Sequence, residues 1–211
     1  DEEVVEEVVV NDIVMLETAV LSLESEDYVY YESTDSAVTV ADLLENSGVT
    51  SDEDLFIVAS DGYEKTETMS VFKDGYIKFT GDDAPMFLDP DLQKGMYIKS
   101  IMKVETGDKL FASVASAMTA FGTKEVNGKT GVSILDFIDM TGVKADSYLF
   151  TASDGYSVEI SGKDCKDGVL YVNDETGTAC MKFSEEHPGN WGMKDIMTIS
   201  IRAMWVIVMA I

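Results

Sequence analysis

Ala59-Ser60-Asp61-Gly62-Tyr63 recurs unchanged as Ala152-Ser153-Asp154-Gly155-Tyr156. Each follows a short apolar run, Leu55 to Val58 in the first case and Leu149 to Thr151 in the second. Asp-Gly is a preferred pair for a tight turn, because Gly tolerates positive φ and the Asp carboxylate bonds backbone two residues on. The pattern predicts a strand, a turn and a second strand at both places. These are Leu55 to Ala59 followed by Tyr63 to Val71, and Leu149 to Ala152 followed by Tyr156 to Ile160. In the last of these Tyr156, Val158 and Ile160 alternate with Ser157, Glu159 and Ser161, the period of a half-buried strand.

The similarity extends on both sides of the turn. Upstream, Val38 to Val49 reads against Val132 to Val143, with Asp42, Leu43, Leu44 and Gly48 facing Asp136, Phe137, Ile138 and Gly142. Each stretch predicts a short helix. Thr39 or Ser133 stands as N-cap with an Asp three residues later, imitating a capping box. Gly48 or Gly142 stands where a left-handed residue ends the helix. Downstream, Lys73-Asp74-Gly75 recurs as Lys166-Asp167-Gly168 and leads into strands Tyr76 to Phe79 and Val169 to Val172. Lys99 to Val104 finally matches Lys194 to Ile199 as a closing strand. Four blocks in one order, offset by 93 to 95 residues, predict two tandem copies of a unit of about 70 residues. The expected division is 1–107, with a core at 38–105, and 108–211, with a core at 132–201. Part of Leu110 to Phe121 is expected to supply the first strand of the second copy, with 8–31 as its counterpart. Residues 1–9 fit a helical period in their glutamates, while their valines favour a strand.

This order of blocks resembles the oxidoreductase molybdopterin-binding domain of the sulfite oxidase type, in its later part. The resemblance implies an α+β fold dominated by β-sheet, which the pattern of strands and short helices indicates independently. It also implies a molybdenum cofactor held by a cysteine thiolate that precedes the Ser-Asp-Gly-Tyr region. Here both cysteines, Cys165 and Cys180, follow Tyr156, and the first copy has none. The anionic pterin would need cationic partners, and Arg202 is the only arginine. The matched residues are scaffold residues. No catalytic or cofactor-binding residue carries over, and no cofactor is expected.

Composition narrows the function classes. The net charge is −25, from 15 basic and 40 acidic residues, which argues against nucleic acid and against an anionic membrane surface. The acidity itself reads as a solvated, self-repelling surface. The run Ala203 to Ile211 is too short to span a bilayer and reads as a terminal strand. Asp1-Glu2-Glu3 has no signal-peptide character, which does not bear on export, since a mature exported chain would look the same. Cys165 and Cys180 flank a turn-like segment. They suit either one disulfide or two buried free thiols.

Other candidate chemistry is sparse. His187, the only histidine, lies in a Pro- and Gly-bearing loop among Glu185 and Glu186, and reads as an exposed loop histidine or a pH-sensitive group. Asp82, Asp83, Asp89 and Asp91 crowd oxygen ligands of the kind calcium prefers, without EF-hand spacing, and no metal site is expected. Tyr28, Tyr30 and Tyr31 suit an aromatic platform or an ordinary strand. The candidate ligand surface is the pair of turns, Ser60, Asp61 and Tyr63 with Ser153, Asp154 and Tyr156. Their alternative role is turn chemistry alone.

The expected protein is a non-enzymatic, extracytoplasmic or cell-surface binding module of a bacterium. Its partner would be a protein, a glycan or a small molecule. The alternatives are an oxidoreductase-associated protein that has a molybdopterin or electron-transfer role through a partner, and a structural stalk.

Overall fold

A computed structural model describes residues 12–30 and 33–201. The expectations for 1–9, for Tyr31 and for Ala203 to Ile211 lie outside the described residues.

The first half runs β1 (Asp12–Met15), α1 (Leu16–Leu21), β2 (Glu26–Tyr30), β3 (Ser33–Thr39), α2 (Val40–Asn46), β4 (Leu55–Ala59), β5 (Glu64–Glu67), α3 (Met69–Lys73), β6 (Tyr76–Lys78), β7 (Met86–Leu88), a 3-10 turn (Lys94–Met96) and β8 (Ile101–Glu105). The second runs β9 (Leu110–Ala112), α4 (Val114–Phe121), β10 (Lys124–Val126), β11 (Lys129–Ser133), α5 (Ile134–Thr141), β12 (Ser147–Ala152), β13 (Ser157–Ser161), a 3-10 turn (Cys165–Asp167), β14 (Gly168–Val172), β15 (Ala179–Phe183), a 3-10 turn (Gly189–Trp191) and β16 (Ile196–Ile201). With 23% helix and 39% strand in several sheets, the fold is mixed α+β and strand-rich.

Local chemistry places the helices. Thr39 Oγ1 accepts the Asp42 amide at 3.1 Å and caps α2, which buries Val40, Leu43 and Leu44. Beyond it Gly48 takes φ +69°. In α5, Ile134, Phe137, Ile138 and Thr141 are buried at helical spacing, and Gly142 closes it at φ +75°. Ser133 makes no side-chain cap there, contrary to the capping-box expectation.

One other expectation needs correction. The strand expected over Tyr63 to Val71 ends at Glu67, because Thr68 Oγ1 accepts the Val71 amide at 3.4 Å and starts α3. The strand expected in part of Leu110 to Phe121 forms over its first three residues. Ser113 Oγ accepts the Ser116 amide at 3.1 Å, and α4 follows.

The central sheet has eight strands in the order β13-β12-β16-β1-β9-β8-β4-β5. It is continuous through both halves, and the expected boundary at 107/108 falls in its β8–β9 turn, where the Thr106 amide reaches the Lys109 carbonyl at 2.9 Å. β1 and β9 lie parallel at the middle, with Ile13 opposite Leu110 and Met15 opposite Ala112. β1 also pairs antiparallel with β16, the last strand of the other half, and β9 pairs antiparallel with β8. Four-stranded sheets β2-β3-β6-β7 and β10-β11-β14-β15 flank it.

Side chains alternate across a strand, so β1 and β9 serve two cores. Ile13, Met15, Leu110 and Ala112 join the core of the second half, with Phe137, Phe150, Leu170 and Ile199. Val14 and Phe111 join that of the first, with Leu43, Leu55, Ile77 and Phe87. The two cores therefore lie on opposite faces of the central sheet. Each fully buried Ile or Met there contributes roughly 1.5–3 kcal/mol.

Candidate functional site

The two Ser-Asp-Gly-Tyr turns have one geometry. Asp61 Oδ1 accepts the Tyr63 amide at 2.9 Å, and Asp154 Oδ1 accepts the Tyr156 amide at 2.9 Å. The Ala59 amide reaches the Tyr63 carbonyl at 2.9 Å, and the Ala152 amide reaches the Tyr156 carbonyl at 2.8 Å. Gly62 and Gly155 both take φ +86°, which a side chain would resist. The Ser60 amide donates to the Ser100 carbonyl and the Ser153 amide to the Asp195 carbonyl, both at 2.9 Å. Ser100 and Asp195 themselves take φ of +48° and +53°, and the adjoining strand pairs shift register beside Ala59 and Ala152. The recurring Lys-Ser/Asp-Ile block is thus the backbone seat of the recurring turn.

One carboxylate oxygen of each Asp is engaged by its own turn, and Asp61, Asp154, Ser153 and both tyrosines are exposed. Tyr63 is 54% exposed and Tyr156 45%. β4 and β12 run in the same direction as β1 and β9, so both turns lie at the same end of the central sheet. Five strand spacings separate β4 from β12, roughly 24 Å. The six candidate residues therefore form two patches on one edge and not one pocket.

Beside the second turn lies a cluster that sequence reasoning missed. The Tyr156 hydroxyl is 3.4 Å from both the carbonyl oxygen and the side-chain nitrogen of Asn190. The adjoining Trp191 stacks on His187 with centroids 4.8 Å apart and meets Phe183 edge-on. His187 Nε2 is 3.2 Å from Asp167 Oδ2. With its side chain only 15% exposed, His187 is not an exposed loop histidine. The Pro and Gly content of 185–192 marked a loop, but the partners Asp167 and Tyr156 are 20 or more residues away.

Of the two readings of the cysteines, the structure has the free thiols, both buried. Cys165 faces the core of the second half. Cys180 lies opposite Tyr171 in register, while Ala179 and Met181 on either side of it face that core. The two thiols thus point to different sides of the β14–β15 ladder, so no bridge can form without backbone movement. Burial, and then the charge of Asp164, pushes the Cys165 thiol up to about 12.

Tyr28 and Tyr30 lie on the strand β2, as the ordinary-strand reading has it. The Tyr28 ring packs 5.1 Å from that of Tyr76, on the outer side of sheet β2-β3-β6-β7 with Met86, Leu88 and Tyr97. Burial, and a hydrogen bond with Tyr97, raise the Tyr28 hydroxyl pKa. Among the described residues no three His, Cys, Asp or Glu side chains converge as a metal site, so the Asp82 to Asp91 carboxylates do not meet.

Two clefts lie at the opposite end of the central sheet from the turns. One, of about 230 Å³, lies between Glu105, Asp108 and Lys109 of the β8–β9 turn and Thr141, Gly142 and Val143. Burial raises the Asp108 pKa, but hydrogen bonds from the Thr50 amide and hydroxyl and the Thr106 hydroxyl outweigh it and hold this carboxyl low. The other, of about 440 Å³, is lined by Asp52, Asp54, Thr68, Met69, Ser70 and Lys73.

Where the halves join, Glu17 is buried at the start of α4. Its Oε1 accepts from Ser113 Oγ at 2.7 Å and from the Ala115 amide at 2.9 Å. Glu17 Oε2 and Ser116 Oγ are buried without a protein partner. No helix of the described residues is long and apolar enough to cross a membrane.

No family model matches the chain, and neither a curated protein nor a solved structure matches it.

Proposed function

We propose that the chain is a non-enzymatic binding or interaction module, built from two copies of one unit on a degenerate molybdopterin-binding-like scaffold. Its candidate ligand surface is the edge that carries the two turns. The observation that carries this reading is the pairing itself. Two turns of identical sequence and hydrogen bonding stand at one end of one sheet, each offering an exposed tyrosine. The order of elements supports the two-copy reading, since strand, helix and hairpin follow in the same sequence from β1 to β8 and from β9 to β16. Tyrosine presented on a stiff turn suits recognition, because a large amphipathic contact is made at small entropic cost.

The proposed partner is a protein, a glycan or a small molecule, and the proposed location is extracytoplasmic. The two free thiols lend that location no support. Fractionation of the source cells tests it, and a purely cytosolic pool would overturn it.

A thermal-shift screen of glycans and metabolites tests the binding reading. A ligand should raise the melting temperature of the parent chain and leave that of Tyr63→Ala/Tyr156→Ala unchanged. A ligand that stabilises both equally would move the site elsewhere. Stoichiometric molybdenum or pterin in the purified protein would overturn the reading in favour of an oxidoreductase-associated role.

A further inference from the structure

We propose that residues 12–21 are a peptide ligand held in cis, and that the remainder of the chain forms a donor-strand acceptor groove for a segment of that chemistry. This inference is independent of the surface at the turns.

β1 fills the gap between β16 and β9, bonding antiparallel to one and parallel to the other. Without it two strands in mid-sheet would present unpaired edges, the kind of template that captures an extended peptide. Specificity pockets alternate along the groove. Ile13 and Met15, both 0% exposed, fill the core on one face. Val14, Leu16, Ala19 and Val20 fill the core on the other.

Polar groups set the register. Lys109 Nζ lies 2.9 Å from Asp12 Oδ2 at the start of the segment. Ser113 Oγ and the Ala115 amide hold the Glu17 carboxylate. The Ala179 amide donates to Thr18 Oγ1 at 3.0 Å. Leu21 Cδ1 lies 3.1 Å from where a Cβ on Gly177 would stand, so this glycine leaves room for it. The donors to these side chains all come from the second half, 96 to 161 positions along the chain. The ligand chemistry is an extended segment of one Asp and three apolar residues leading into a helical turn with Glu at its second position. The segment continues to β2 through Ser22, Leu23, Glu24 and Ser25, of which all but Leu23 are exposed.

The test starts from the full chain. A protease site inserted between Glu24 and Ser25 is cleaved in the folded protein. The released fragment should co-elute with the remainder on gel filtration. After the two are separated in urea, the remainder should regain the melting temperature of the nicked protein when refolded with a labelled peptide of residues 12–21. The Ile13→Asp peptide, which would bury an unpaired charge, should compete at least about tenfold less well. Recovery without any peptide, failure to recover with the parent peptide, or equal competition by Ile13→Asp would each overturn the proposal. Hydrogen exchange on the unmodified chain gives a second reading. The Val14 and Met15 amides should be protected as strongly as those of β16, and fast exchange confined to β1 would overturn it.

Discussion

The carboxylate of Glu17 accepts a hydrogen bond from Ser113 Oγ at 2.7 Å, across 96 positions of sequence. Ser113 is the N-cap of α4, and Glu17 also takes the Ala115 amide, so an acid from the first half satisfies the first turn of a helix in the second. An acceptor this deeply placed is held by its donors, and its removal leaves those donors unpaired.

Glu17→Ala should therefore cost about 2 kcal/mol of stability, and Glu17→Gln distinctly less, since an amide oxygen still accepts both bonds. Urea denaturation of the three chains checks this. Equal losses for Ala and Gln would mean that charge and not acceptance decides the site.

The paired turns make a symmetrical prediction. Asp61→Ala and Asp154→Ala each remove one carboxylate-to-amide bond of the same length, and each should cost about 1 kcal/mol. Tyr63→Ala should leave stability within about 0.5 kcal/mol of the parent, as expected of an exposed side chain. Thermal unfolding of these variants reads both effects.

Gly131 is required by contact and not by φ. A Cβ there would stand 2.1 Å from the Leu170 carbonyl oxygen in the neighbouring strand, which is backbone and cannot swing aside. Gly131→Ala should destabilise by about 3 kcal/mol. Gly95→Ala, with nothing within 4 Å of its Cβ, should be near neutral. The midpoints of chemical denaturation separate the two.

Alkaline pH should destabilise the fold in a defined window. The Cys165 thiol is pushed from 9.0 up to about 12 by burial and then by Asp164. Burial also raises the Tyr148 and Tyr171 hydroxyls. The unfolded chain then releases these protons before the folded one, so stability falls as pH climbs from 9 towards about 12. Unfolding midpoints measured across that range should decline, and Cys165→Ala should flatten the decline. Thiol titration of the unfolded, unreduced chain should find two groups, from Cys165 and Cys180.

Features set within a few residues of chain were legible in the sequence. The Asp61-Gly62 and Asp154-Gly155 turns and the ends of α2 and α5 at Gly48 and Gly142 formed where expected, because φ preference and side-chain-to-amide bonds act locally. So did the strand-rich α+β class, which follows from how often such turns and short helices occur. Three further helices were hidden in segments read as strand or connection. Ser113 and Thr68 capped two of them and α1 has no side-chain cap, while the apolar residues around all three fit either period.

Tertiary structure alone decided where the strands go. Ile13, Val14, Met15 and Leu16 are all apolar and announce burial on both faces, yet nothing local says which strands flank them. Pairing with β16 requires Ile199, and pairing with β9 requires Leu110, each far along the chain. The same holds for the cysteines, since the sequence spaces them for a hairpin while the register opposite Tyr171 turns one thiol away from the other. Backbone ladders accept any strand whose two faces suit the cores on either side. That choice depends on packing the whole molecule at once, and here it joined two halves, which the sequence presented as separate, through one shared sheet.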